Sequence, residues 1–115
     1  MISEGQITLF KFPQTDQQEG KLRPALVLCK MPGRYDDWLI CMISSQLHQR
    51  IQELDEIIAI KDLDFARSGL KSPSVIRVSR LAVVDKEILL GKLGEISQDR
   101  LSRARQNLAR WIRGA

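Results

Sequence analysis

Pro24-Ala25-Leu26-Val27-Leu28-Cys29, then the turn-forming Met31-Pro32-Gly33-Arg34, then Trp38-Leu39-Ile40-Cys41-Met42-Ile43, is the stretch that decides the fold. Each apolar run is short, and neither shows the polar alternation of a half-exposed strand. Strands covered on both faces read this way. The Pro-Gly pair between them is a turn signal, so residues 24–44 predict two neighbouring antiparallel strands. Working toward the N-terminus, Gln6 to Phe12 alternates around Ile7, Leu9 and Lys11 and is ended by Pro13, a further strand. Between it and Pro24, Gln14 to Lys21 is polar and closed by Gly20, a loop.

In the other direction, Ser44 to Glu56 is polar and reads as a long loop, and Ile57–Ile60 as a short strand. Asp62 to Arg67 suits one or two helical turns that Ser68-Gly69 stops, because glycine accepts the left-handed backbone of a helix end. Ser74–Val78 is extended and runs into Arg80–Val84, and Ile88–Leu93 is a last strand interrupted by Gly91. The tail is a helix. Ser97 can cap its first N–H groups, and Leu101, Ala104, Leu108, Trp111 and Ile112 recur as one apolar stripe before Gly114. Several short strands, one small helix and one terminal helix predict a mainly β domain with helices (α+β), a small barrel capped by a helix.

At 115 residues, 43% hydrophobic and 28% charged, the chain predicts a single globular domain over 1–115. No apolar run approaches the length of a membrane span, and Met1-Ile2-Ser3-Glu4 lacks the layout of an export signal. Cys29 and Cys41 sit in apolar runs without metal-type spacing, as core residues in a reducing compartment would. A cytoplasmic location is the expectation. The formal charge of +4 is local: residues 1–96 balance, and the excess lies where Arg100, Arg103, Arg105, Arg110 and Arg113 face only Asp99. That is a basic terminal helix rather than a basic body.

There is no phosphate-binding glycine loop, no dinucleotide fingerprint and a single histidine, His48, so paired-histidine catalysis and His-based metal sites are excluded. What remains is polar residues at strand ends, where a rigid strand projects them onto a rim. Arg23 precedes the Pro24 strand, and its guanidinium suits a phosphate. Ser44 and Ser45 end the Trp38 strand. Arg77 is a lone arginine inside Val75-Ile76-Arg77-Val78 and must face solvent or a partner. Taken singly, each has a plainer reading as a surface residue.

Their order says more. Gly20-Lys21-Leu22-Arg23-Pro24, a hydrophobic strand ending in Ser44-Ser45-Gln46, Ser68-Gly69-Leu70-Lys71-Ser72-Pro73-Ser74 leading to Arg77, and Leu93-Gly94-Glu95 before the helix resemble the MazF/PemK family of toxin endoribonucleases over nearly the whole chain. The resemblance implies a small SH3-like β-barrel, a homodimer, an acidic antitoxin partner, and cleavage of single-stranded RNA without a metal ion or other cofactor. Arg23 then matches the family's catalytic arginine, Ser44 its catalytic hydroxyl, and Arg77 an arginine of RNA contact and catalysis. Two departures stand out: Ser79 replaces an aspartate of the PemK branch, and the first loop has no histidine. The base is therefore unassigned, with Glu19 as candidate. RNA contact is expected of Lys21, Ser45, Gln46, His48 and Ser79. The loops Gln14–Lys21 and Ser45–Glu56 would read unstacked bases, with Tyr35 and Trp38 the only aromatics expected near them. Two other readings use the same barrel: one docks a protein target such as gyrase through Trp111 and the basic tail, and one binds nucleic acid without cutting it.

Overall fold

The computed structural model describes residues 1–11 and 21–114. Six antiparallel strands form one curled sheet: β1 (Gln6–Phe10), β2 (Arg23–Lys30), β3 (Asp37–Ser44), β4 (Glu56–Ile58), β5 (Ser74–Asp85) and β6 (Leu90–Glu95), in the order β4-β5-β3-β2-β1-β6. A short helix, α1 (Phe65–Ser68), follows β4, and α2 (Gln98–Arg113) ends the chain. Among the described residues no helix is long and apolar enough to cross a membrane.

The two unbroken apolar runs became β2 and β3 because the sheet has a core on each side. On one face Ile7, Leu26, Leu28, Cys41, Ile43, Ile76 and Val78 pack against Leu101, Ala104 and Leu108 of α2. On the other, Phe10, Ala25 and Val27 gather with Trp38, Ile40, Val84 and Leu89. Successive side chains alternate between these cores, so neither strand has a solvent face to show polar residues.

The curl brings the two edge strands together through α1, giving a half-barrel. Here the backbones of residues 67–69 and 93–94 pass so closely that only glycine fits: a Cβ on Gly94 would fall on the Arg67 carbonyl oxygen, and one on Gly69 on the Leu93 carbonyl. Gly69 also takes the left-handed conformation (φ 74°) that ends α1. A buried ion cluster fastens the same corner. Arg100 of α2, 6% exposed, donates from Nε to Asp64 Oδ2 (2.9 Å), from Nη2 to Asp62 Oδ2 (2.9 Å) and from Nη1 to the Ile57 carbonyl (2.9 Å).

Several expectations change. The strand expected over Ile88–Leu93 runs over Leu90–Glu95 instead, after a 3₁₀ turn at Lys86–Ile88, and Cys29, expected in the core, is half-buried outside it. The strand expected over Ile57–Ile60 stops at Ile58, because Ala59 turns off the sheet, its N–H donating to Asp62 Oδ2 (2.8 Å) and its carbonyl accepting from Asp62 N–H (2.9 Å). The loop after Ser44 contains a 3₁₀ turn, Leu47–Gln49. The apolar stripe of α2 is buried only as far as Leu108; Trp111 and Ile112 are 65% and 66% exposed, the helix having run past the sheet's edge. The basic tail, finally, is spent largely on the body's acids: Arg100 as above, Arg103 on Glu56 (3.1 Å) and Arg105 on Glu4 (2.6 Å).

Candidate active site

Opposite residues in an antiparallel ladder point to the same face. On β3 and β5 the pairs are Ser44↔Val75 and Met42↔Arg77; on β2 and β3 they are Leu26↔Cys41 and Ala25↔Met42. Carried two residues further, the β2–β3 register sets Arg23 across from Ser44. Phe10 of β1 is directly opposite Arg23. Arg23, Ser44 and Arg77 thus belong to one face of the sheet, the one away from α2, at the end opposite the Trp38–Val84 core. Ser44 and Arg77 stand in the diagonal relation whose Cα atoms lie about 7–8 Å apart, well within an arginine's reach.

Each side chain is held by local structure. Ser44 is buried, and its Oγ accepts the Gln46 N–H (3.0 Å), which fixes the chain as it leaves β3 for the 3₁₀ turn. Its hydroxyl proton remains available to an acceptor. Arg77 is half-buried and donates from Nη1 to Gln49 Oε1 (3.3 Å) on that turn. Its Nε is buried, yet no acceptor among the described residues meets it; Thr8 Oγ1 is the other such atom. A guanidinium nitrogen without a protein acceptor can take an oxygen ligand, and phosphate is the anion the guanidinium fork suits best. Arg23 is half-buried at the start of β2.

The expected RNA-contacting residues divide. Lys21, Ser45, Gln46 and His48 are exposed beside this face, flanking Arg23 or following Ser44. Ser79 is already engaged: its N–H donates to Asp55 Oδ1 (3.0 Å) and its hydroxyl to Asp55 Oδ2 (3.1 Å). Glu19, with most of the Gln14–Lys21 loop, lies outside the described residues. Tyr35 and Trp38 are at the wrong end of the sheet for stacking bases here. They lie at the β2–β3 turn, opposite the Arg23 and Ser44 ends; Trp38 is buried with its indole N–H on Asp36 Oδ1 (2.9 Å), and Tyr35 carries Arg34 over its ring at 5.3 Å. A hairpin puts its turn as far as possible from its open ends, which the sequence already contained.

Sequence reasoning missed Gln49 and Asp55. Both sit in a polar loop where glutamine and aspartate are ordinary, and their partners Arg77 and Ser79 lie 28 and 24 residues away. It also missed the pairing of Arg100 with Asp62 and Asp64. The Asp64 carboxyl, despite a burial that alone would raise it, is held below its ordinary pKa by the Arg100 guanidinium and the Ser97 N–H.

Compared with known proteins, residues 3–112 match the family of PemK-like, MazF-like toxins of type II toxin–antitoxin systems. The chain belongs to this toxin family. Among solved structures it is similar to an endoribonuclease in complex with its cognate antitoxin from a mycobacterial species, with TM-score 0.66 and 14% identity, covering 97% of this chain and 95% of that one. It is also similar to the Mycobacterium tuberculosis toxin MazF-mt6, with TM-score 0.66 and 17% identity, covering 94% and 96%. No curated protein sequence matches. The fold is thus shared with proteins of which only 14% and 17% of the sequence is identical to this chain.

Proposed function

We propose that this toxin is a metal-independent endoribonuclease that cleaves single-stranded messenger RNA and so arrests translation and growth. The observation that carries the reading is the Arg77 Nε, buried without an acceptor on the same face as Ser44 and Arg23. RNA brings its own nucleophile. Its 2′-oxygen attacks the adjacent phosphorus, the bond to the 5′-oxygen breaks, and the products are a 2′,3′-cyclic phosphate and a 5′-hydroxyl. Arg23 and Arg77 would hold the negative charge that builds on the non-bridging oxygens, with Ser44 orienting the phosphate through its hydroxyl. Glu19 is our candidate to take the 2′ proton, and Arg23 to return one to the leaving oxygen. Lys21, Ser45, Gln46 and His48 would border the path of the RNA strand. An acidic antitoxin segment would compete for the same guanidinium groups, and a homodimer is the proposed assembly.

The test is a single-stranded RNA oligonucleotide incubated with chelator. Cleavage should persist, stop on 2′-deoxy substitution, and fall roughly 100-fold or more in Arg23→Ala and in Ser44→Ala. Wild-type rates in both variants would refute the assignment. A second reading, docking of a protein target, has one observation behind it: exposed Trp111 borders a groove of about 510 Å³ that also takes in Ile51, Leu81 and Arg110. Intact RNA with inhibited supercoiling, lost on Trp111→Ala but kept in Arg23→Ala, would favour it.

A further inference from the structure

β5 does not follow β3 evenly. Cys41 pairs with Leu81 and the next residue, Met42, with Arg77, so Val78, Ser79 and Arg80 are inserted on β5 as a bulge. Bulges redirect the side chains beside them, and Arg77 is the first residue on the far side of this one. The bulge is gripped by one carboxylate. Asp55 is 1% exposed, and its oxygens accept the Ser79 N–H (3.0 Å), the Ser79 hydroxyl (3.1 Å) and the Ile51 N–H (2.9 Å). Its backbone closes the same loop, Asp55 N–H donating to the Ile51 carbonyl (2.9 Å). Two residues before Ile51, at the end of the 3₁₀ turn, Gln49 Oε1 accepts from Arg77 Nη1. One side chain thereby ties the strand that carries Arg77 to the segment that leaves the Gln49 turn.

We propose that Asp55, acting through Ser79 and the Gln49 turn, is the positioning residue for Arg77, an assignment that rests on the nuclease reading above. A buried carboxylate with three donors is costly to desolvate, and a loop needing only a tether would be served by a neutral acceptor. Its three donors come from both segments that determine where Arg77 points. Losing the grip leaves the bulge and the loop free to shift relative to each other, and a displacement of about 1 Å in a positioning group can cost on the order of 100-fold in rate. Ser79 has a defined part in this arrangement: its N–H and hydroxyl receive the grip.

The experiment is a kinetic cycle on the full chain, using a single-stranded RNA oligonucleotide with chelator and comparing wild type, Asp55→Asn, Arg77→Ala and the double variant. Ser79→Ala is included because it removes one bond and keeps the Asp55 contacts to both backbone N–H groups. Asp55→Asn should lower kcat about 10- to 100-fold with KM nearly unchanged, and Ser79→Ala should lower it several-fold. Adding Asp55→Asn to Arg77→Ala should cost nothing further, because the group it positions is gone. Asp55→Glu, which keeps the charge, should recover part of the loss. A purely structural clamp would instead lower the melting temperature and cut kcat by the same factor whether or not Arg77 is present; that result overturns the proposal, as does wild-type kcat in both Asp55→Asn and Ser79→Ala. If wild-type protein leaves the RNA intact, the nuclease reading falls separately. The Arg77 Nε–H resonance then decides positioning: a shift or broadening in Ser79→Ala supports it, and an unmoved resonance overturns it.

Discussion

Replacing Arg100 by alanine is the perturbation whose size the structure fixes most closely. The guanidinium is buried, and its three nitrogens bond Asp64, Asp62 and the Ile57 carbonyl, with Glu56 Oε1 at 3.6 Å from Nη1. Asp64 is 3% exposed, so removing its partner leaves a carboxylate in the interior with little besides the Ser97 N–H (3.1 Å) to stabilise it. Breaking one side of such a buried pair costs about 3–5 kcal/mol. A chain of this length has an unfolding entropy of about 0.24 kcal/mol/K, so the melting temperature should fall by about 12–21 °C. The deficit should depend on pH. In the wild type the folded-state pKa of Asp64 is depressed, so its contribution is present above the unfolded value of about 4 and is lost as pH falls through the folded one. In Arg100→Ala that contribution is gone at every pH, and burial without the guanidinium raises the Asp64 pKa instead. The gap between the two proteins should therefore be widest near neutral pH and narrow as acid is added. Calorimetric melts from pH 7 down to about pH 3 measure both effects. A loss below about 1 kcal/mol, the range of an exposed pair, or a gap constant across that range, would refute the buried-pair account.

Gly94→Ala should loosen the corner where α1 meets β6, because the added Cβ meets the Arg67 carbonyl oxygen and lies 2.6 Å from that of Ser68, both backbone atoms. A loss of about 1–3 kcal/mol, with faster hydrogen exchange in residues 65–69 than in β2 and β3, is expected. Ser97→Ala removes the Oγ that caps the Arg100 N–H (3.1 Å) and should cost about 1 kcal/mol in a thermal melt. Trp111→Ala should leave stability within about 0.5 kcal/mol, because the ring is exposed; a core tryptophan would cost about 3–5 kcal/mol.

Local chemistry is what the sequence displays well. Ala25–Leu28 and Trp38–Ile43 read as strands covered on both sides, and two cores cover all but the half-buried Met42; Cys29, at the end of the first run, is half-buried outside both. Ser97 and Gly114 bracket α2 as expected, since caps depend on neighbours a few residues away. Gly69 stops α1 for the same reason. The stripe on α2 was legible in period but not in extent: helical spacing says which residues share a face, whereas the width of the sheet beneath decides that Leu108 is covered and Trp111 is not. Tyr35 and Trp38 were misplaced because nearness along the chain is not nearness in a hairpin.

By itself, the sequence determined the strands, the terminal helix and, through short motifs in a fixed order, the toxin family, because all of these are written in residues close together along the chain. Tertiary structure alone decided the rest. Strand register set Arg23, Ser44 and Arg77 on one face, and the bulge in β5 set Asp55 against Ser79. The curl of the sheet buried Arg100 among acids that composition had counted as belonging elsewhere. Pairings between groups dozens of residues apart leave no local trace, since each partner satisfies its own segment equally well in water.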